Sequence, residues 1–378
     1  LRRVLSLLHF SNTTVRGGAE EHILTLLRGL DRRHFQLRWV CSPPVAEQVK
    51  RDVPADVEVI PVWLNPRHPG GALRLASILR SRRVDILHSH LFYSSLFASP
   101  VGWACRVPLI VETPHLRELW RQGWKAWNGI DRAAGCFVDR YIAVSQANAR
   151  YLVEQKGLPA GKVTVIQNGS NLDRFAPAEA APGMKESLGF GAEDPVLVVA
   201  ARLDAQKGHR VLLEALPLIR AQVPAVRLVC VGEGNLRGEL ERQAGRLGLQ
   251  DAVRWAGYQA DIRPWLALAD VCVLPSLYEG LPLIAIETLA SGRPMVATAV
   301  DGTPEVVVDG RTGITVPPGD AGALAGAILR LLRDPELGQR LARQGRDWVL
   351  ARFTEERQIR ETEELYWRCW EERGRKRG

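Results

Sequence analysis

Apolar and polar positions follow two repeating patterns along this chain. Short, nearly continuous apolar runs bounded by glycine, proline or polar turns predict buried strands. Between them lie stretches with apolar residues three and four apart, the spacing of one helix face. In the first half the predicted strands are RRVLSLLHF, FQLRWVCS, VEVIPV, VDILHSH, PLIVETPH, RYIAVS and KVTVIQNG. The segment GAEEHILTLLRGL, apolar at positions 23, 26, 27 and 30, typifies the helices between them. Around residues 176–195 the stretch APAEAAPGMKESLGFGAEDP is rich in Ala, Pro and Gly and lacks a strong period, which predicts a linker. The alternation then restarts with PVLVVAA, VRLVCVG, VRWAG, VCVLPS, PMVATAV and TGITVPP. Strands alternating with helices imply an α/β protein made of two doubly wound parallel-sheet domains. Ligands are then expected beyond the carboxyl ends of the strands.

Composition agrees with that division. A single core stops growing near ~250–300 residues, and this chain has 378, of which 46% are hydrophobic. No apolar run approaches the roughly 20 residues needed to span a bilayer. The opening LRRVLSLLHF, followed by SNTTVRGG, reads as a first strand and its loop, with none of the features of a signal peptide. Six cysteines lie scattered without C-x-x-C or zinc spacing, so free thiols and a cytoplasmic location are expected. The net charge of +8 originates in residues 1–175, while residues 176–378 are slightly acidic. A basic half suits an anionic lipid surface, a phosphorylated acceptor or nucleic acid, or else a solvated arginine-rich surface.

Three strand-to-helix loops carry candidate chemistry. In PVLVVAARLDAQKGHRVLLEALPLI, Arg202 and Lys207 stand at a strand's carboxyl end with Gly208 at the helix start. Two cations there can neutralise a diphosphate, and a guanidinium adds forked bonds to phosphate oxygens; the alternative is two solvated surface charges. In RLVCVGEGNLRGELE, Gly232, Gly234 and Gly238 imitate a dinucleotide fingerprint, but Arg237 sits where the third glycine belongs. This loop reads as a nucleotide-adjacent turn without NAD binding. In YEGLPLIAIETLASG, Pro282 suits the first helical turn and Gly292 the C-terminal cap. The unpaired N–H groups of that first turn, with Gly280 and Leu281 leading in, form an anion site beside Glu279. Glu287 leans from a largely apolar face, so its carboxylate needs partners. Ribose hydroxyls would serve, and so would an arginine elsewhere.

The residues of YEGLPLIAIE form the E-x7-E motif, and at this point the chain resembles the retaining glycosyltransferases of family 4. GGAEEHILTLLRGL, DILHSHLFYSSL, VETPH, YIAVSQANARYLVEQKGLPAGKVTVIQNGSNLDRF, ARLDAQKG, GYQADIRPWLALADVCVLPS and DGTPEVVVDGRTGITVPPGD follow in the family's order. The resemblance implies the GT-B fold: two Rossmann-like doubly wound domains facing across a cleft. The acceptor-side domain would be residues 1–178, and the nucleotide-sugar-binding domain residues 192–354. Residues 355–378 would return as a crossover helix to the first domain.

The resemblance also implies site roles. Arg202 and Lys207 hold the donor diphosphate, with Gly280, Leu281 and Pro282 shaping the phosphate turn. Glu287 binds the ribose and Glu279 the donor sugar hydroxyls. Gly18 lies close to the diphosphate, and His115 reaches the donor sugar. Gly257 and Asp261 lie near the base, while Gly17, Glu20 and His90 belong to the acceptor side. Two positions depart from the family's pattern: Asn171 replaces an acid, and Asp301 stands where a glycine is common.

The implied activity is transfer of a hexosyl-type sugar from a nucleotide sugar, UDP before GDP, to a glycan, lipid-linked or small-molecule acceptor. A GT-B epimerase and a non-catalytic nucleotide-sugar sensor are the competing readings. The chain contains no D-x-D, so a metal-clamped diphosphate is not expected, and arginine, lysine and a helix terminus must supply the positive charge. No cofactor is expected, since the nucleotide sugar is a substrate. Front-face substitution, with the leaving phosphate accepting the acceptor's proton, is the favoured route, and His115 then positions more than it deprotonates. His88 and His90 alternate on a strand end and share a face, without an evident third metal ligand. Finally, Trp120, Trp124 and Trp127 with Arg117, Arg121 and Lys125 predict either an interfacial amphipathic helix or an ordinary packed one. Expected partners are therefore the donor, a sugar or lipid-linked acceptor and an anionic membrane surface, with no nucleic acid. A position on the inner face of the cell membrane would follow.

Overall fold

The computed structural model describes residues 3–63, 70–116, 129 and 132–375. The chain forms two units: one runs to Gly169 and resumes at Glu355, and the other is Ser170–Thr354. The first holds a seven-stranded parallel sheet of β1 (Leu5–Phe10), β2 (Phe35–Cys41), β3 (Glu58–Pro61), β4 (Ile86–His90), β5 (Leu109–Thr113), β6 (Arg140–Ala143) and β7 (Val163–Val165). Their order is β3-β2-β1-β4-β5-β6-β7. The second holds six strands: β8 (Val196–Ala200), β9 (Arg227–Val231), β10 (Val253–Gly257), β11 (Val271–Leu274), β12 (Met295–Thr298) and β13 (Ile314–Val316). Their order is β10-β9-β8-β11-β12-β13. Each strand falls inside a predicted apolar run, and both sheets are Rossmann-like. In each, the order reverses beside the first strand, between β1 and β4 and between β8 and β11. Loops leaving these strands diverge to opposite faces and open a crevice.

The period of two along a strand decides what each face of the first sheet buries. Leu8, Phe10 and Leu87 pack with Leu75, Leu79 and Ala98 on one face. Leu5, Leu7, Ile86, Leu109 and Val111 pack on the other, against Ile23, Leu24 and Leu27 of helix Gly18–Gly29. Leu365, Tyr366 and Trp367 of helix Glu355–Arg375 complete that second core. Burying a Leu or Phe side chain contributes about 1.5–3 kcal/mol, which explains why the terminal helix leaves the chain's second unit to cover this face. At Gly29 a Cβ would fall 2.1 Å from Ile359 Cδ1, so the two helices meet where one lacks a side chain.

The predicted linker is structured. Arg254 Nε donates to Leu188 O at 2.7 Å, and Arg293 donates to Ala178 O. Phe190 is buried beneath the guanidinium groups of Arg227 and Arg254. The division therefore falls at Gly169/Ser170, earlier than residue 178, and residues 170–191 belong to the second unit. Such irregular backbone has no apolar period because side chains from neighbouring elements satisfy its carbonyls. All six cysteines are free. Among the described residues no helix is long and apolar enough to cross a membrane. The predicted helix bearing Trp120, Trp124 and Trp127 lies outside the described residues.

Candidate active site

In the second unit, the loops after β8 and β11 bring the predicted acids and cations together at the point where strand order reverses. Lys207 Nζ donates to Glu279 Oε1 at 2.5 Å, and Ser276 Oγ donates to the same oxygen at 2.7 Å. Glu279 is 4% exposed. Among the described residues no donor reaches its Oε2, which is available to a hydroxyl. A buried ion pair adds little net stability because both charges are desolvated, so this pair is better understood as charge held ready. Arg202 pairs with Asp204 at 3.1 Å and is about half exposed, placing a second cation at the same strand end.

Backbone contacts lock these loops together. Leu277 N donates to Gln206 O at 2.7 Å, and Gln206 Nε2 donates to Tyr278 O at 3.0 Å. Gly208 has φ +66°, and a Cβ there would lie 1.9 Å from Pro275 O. Here the missing side chain is a steric requirement. Gly232 and Gly234 serve the neighbouring contact, since Cβ atoms would lie 2.2 Å from Ala201 O and 2.3 Å from Leu203 O. Leu203 N in turn donates to Glu233 O at 3.0 Å. The fingerprint-like glycines thus let the β9 loop lie against the Arg202 loop, a backbone-packing role that needs no dinucleotide.

Gly280, Leu281 and Pro282 are buried and lead into helix Leu283–Ala290, with Pro282 one residue ahead of the helix. Ala285 N donates to Pro282 O at 3.1 Å, while the Leu283 and Ile284 N–H groups precede the first acceptor of the helix. Gly292, at φ +66°, ends this segment in the left-handed conformation expected of a C-terminal cap. Glu287 is partly buried, and Ser170 Oγ donates to its Oε1 at 3.3 Å. A hydroxyl on this carboxylate is the kind of contact a ribose would make.

Both departures from the family pattern have local explanations. Asn171 Oδ1 accepts from Arg174 N at 3.1 Å, a turn-capping bond an aspartate would also make. Asp301 sits at φ +43°, which accounts for glycine being common there, and its Oδ2 accepts from Glu279 N at 2.9 Å. Sequence reasoning missed Ser276, a small polar residue of the Glu279 loop itself, and also Gln206 and the role of Asp301, whose importance lies in contacts between segments distant in sequence. Gly257 ends β10 at φ +69° and its carbonyl accepts from Gly232 N. Asp261 is clamped by Arg263 at 2.5 Å, and those bonds hold its carboxyl down at about 2.

In the first unit, Gly17 precedes helix Gly18–Gly29, and its N–H donates to Glu20 Oε2 at 2.9 Å. Thr13 Oγ1 donates to Glu20 Oε1 at 2.5 Å. Glu20 Oε2 thus caps the helix, while Oε1 ties the Thr13 side chain to it. A Cβ on Gly18 would meet nothing within 4 Å, so packing within the unit does not require glycine there. His90 and His115 are buried and joined, His90 Nδ1 to His115 Nε2, at 3.2 Å.

Two cations and a buried carboxylate thus meet at the point where strand order reverses in a Rossmann-like sheet. Residues 16–174 match the model of Glycosyltransferase Family 4, and residues 194–334 that of Glycosyl transferases group 1. The chain belongs to this glycosyltransferase family. It is 32% identical over 346 residues to the GDP-mannose-dependent alpha-(1-6)-phosphatidylinositol monomannoside mannosyltransferase of Mycolicibacterium smegmatis, covering 88% of this chain and 83% of that one. It is 30% identical over 335 residues to the D-inositol 3-phosphate glycosyltransferase of Streptomyces avermitilis, covering 81% and 68%. The structure of Anabaena HepE in complex with UDP superposes with a TM-score of 0.81 at 21% identity, over 96% of this chain and 99% of that one. These likenesses confirm the two-domain GT-B fold and the glycosyltransferase class.

Proposed function

We propose that the protein transfers a hexosyl-type sugar from a nucleoside-diphosphate donor, UDP before GDP, to a sugar or lipid-linked acceptor, retaining the anomeric configuration. The observation that carries this reading is the Lys207–Glu279 contact of 2.5 Å at the β8/β11 switch point. Lys207, Arg202 and the helix start neutralise the diphosphate, without a metal on it. Glu279 Oε2 accepts from the donor sugar, and Glu287 accepts from the ribose. Gly280, Leu281 and Pro282 shape the turn over the phosphate, and Gly257 and Asp261 border the base. Support for the donor class comes from a structure of the same fold crystallised with UDP and from a relative named for GDP-mannose.

In the reaction the bond between the anomeric carbon and the phosphate oxygen breaks as the acceptor hydroxyl bonds to the same face. The leaving diphosphate takes the hydroxyl proton, so no protein base is consumed. His115 contributes by positioning.

Calorimetric titration of the full chain with UDP and GDP, in EDTA, tests the site. A charge-assisted bond contributes about 1.5–3 kcal/mol, so Lys207→Ala is expected to weaken binding roughly 10–100-fold. Affinity unchanged in Lys207→Ala, or binding that requires magnesium, would overturn the proposal.

A further inference from the structure

Of the chain's eight histidines, five are buried together in the first unit: His9, His22, His88, His90 and His115, none more than 6% exposed. Strand register explains the gathering. His9 lies opposite His88 across the β1–β4 pair, and His88 and His90 share a face, with rings 4.1 Å apart. That face is the one whose earlier positions are Leu5, Leu7 and Ile86, so the apolar surface turns to imidazole at the strands' carboxyl ends. His22 comes down from helix Gly18–Gly29 and His115 from the loop after β5. Donor-site chemistry in the second unit uses none of the other four rings.

Within the cluster, one ring nitrogen from each of His22, His90 and His115 lies within 4.8 Å of the other two. We infer that these three imidazoles form a binding site for one zinc-class divalent cation, with a fourth coordination position open.

Four observations carry the assignment. His22 Nε2 is buried with no hydrogen-bond partner. The other nitrogen of that ring, Nδ1, donates to Asn168 Oδ1 at 2.9 Å when Nε2 is unprotonated, which fixes the ring as outer partners fix metal-bound histidines. His90 Nδ1 and His115 Nε2 are already 3.2 Å apart. That matches the ligand spacing of about 3.3 Å for tetrahedral zinc with Zn–N bonds of about 2.0–2.1 Å, and movement on the order of 1 Å closes the remaining gap. Lastly, His90 Nε2 is 3.0 Å from His9 Nδ1. With an ion on Nδ1, His90 carries its proton on Nε2 and donates it to His9.

Imidazole nitrogens select zinc, cobalt, nickel or copper over magnesium, so this site is distinct in chemistry from a diphosphate-bound metal.

The second trio, His9, His88 and His90, is a poorer candidate. His88 Nδ1 lies 2.6 Å from the Tyr366 hydroxyl and Nε2 lies 2.7 Å from Thr113 Oγ1, so both its nitrogens are engaged.

The test is titration of EDTA-stripped full-length protein with Co2+, read by its visible absorption, and with Zn2+ by calorimetry. One ion per chain with tetrahedral Co2+ bands is expected, weakened at least about tenfold in His22→Gln and in His115→Gln. His34→Gln, outside the cluster, should match the parent. His115→Gln, at a loop position, keeps the test valid should His22→Gln fail to fold. Absence of stoichiometric binding, an octahedral spectrum, or loss of binding in His9→Gln with retention in His22→Gln and His115→Gln would each overturn the assignment.

Discussion

Substituting Gly208 by alanine probes whether the β8 and β11 loops act as one unit. At φ +66° an L-residue costs about 1–2 kcal/mol. The new Cβ would also lie 1.9 Å from Pro275 O, a backbone atom that cannot rotate away. Relief requires the two loops to separate by about an ångström, straining the Leu277–Gln206 and Gln206–Tyr278 hydrogen bonds. Each such bond contributes about 0.5–1.5 kcal/mol net, and alanine's stiffer unfolded chain returns about 0.4–1 kcal/mol. The balance is a loss of about 2–4 kcal/mol. For a unit of this size each kcal/mol lowers the midpoint by about 2–4 °C, so the second unit should melt roughly 5–15 °C earlier. Separation also draws Lys207 from Glu279, so UDP affinity should fall at least about tenfold. Thermal melting followed by calorimetry with UDP would measure both. A variant that melts within about 2 °C of the parent and binds UDP normally would show that the loops are not sterically coupled.

Gly18→Ala should behave oppositely: with nothing within 4 Å of its Cβ, melting stays level while turnover falls, and unchanged turnover would refute the diphosphate role that the family resemblance implies for Gly18. Glu287→Ala is expected to weaken nucleoside-diphosphate binding roughly 10–100-fold. His115→Ala should depress turnover far more than affinity; steady-state kinetics beside calorimetry would expose the reverse pattern. The first unit should be acid-labile. Burial lowers His9 to about 3 and His22 to about 4 from 6.5, so below 6.5 the unfolded chain takes up protons that the folded one refuses. Stability is therefore full above pH 6.5 and is lost toward pH 4, by up to about 1.4 kcal/mol per histidine per pH unit. Denaturant midpoints that stay flat from pH 7 to about 4.5 would contradict this. Flotation with anionic vesicles tests the basic, tryptophan-bearing stretch, and no binding at low salt would exclude a membrane role.

The strands were legible because a buried parallel strand must be an apolar run, and local pattern alone carries that information. Arg202, Lys207, Glu279 and Glu287 were legible for a related reason: a charge at a strand's carboxyl end, or on an apolar helix face, conflicts with its surroundings unless something answers it. Residues 176–191 gave no such signal, since arginines elsewhere bond the carbonyls of Ala178 and Leu188. Gly232 and Gly234 imitated a dinucleotide fingerprint and read as a nucleotide-adjacent turn, and only the adjoining β8 loop shows that they admit backbone. His9 ends an apolar strand run and His22 sits within the GGAEEHILTLLRGL helix, and neither stood out as a ligand in sequence. Strand register and one helix bring them beside His88, His90 and His115, because side chains far apart in sequence become neighbours only when the sheet aligns them. Sequence by itself determined which segments are buried and which charges are anomalous. Tertiary structure decided which of those groups meet, since pairing depends on distances that no linear pattern encodes.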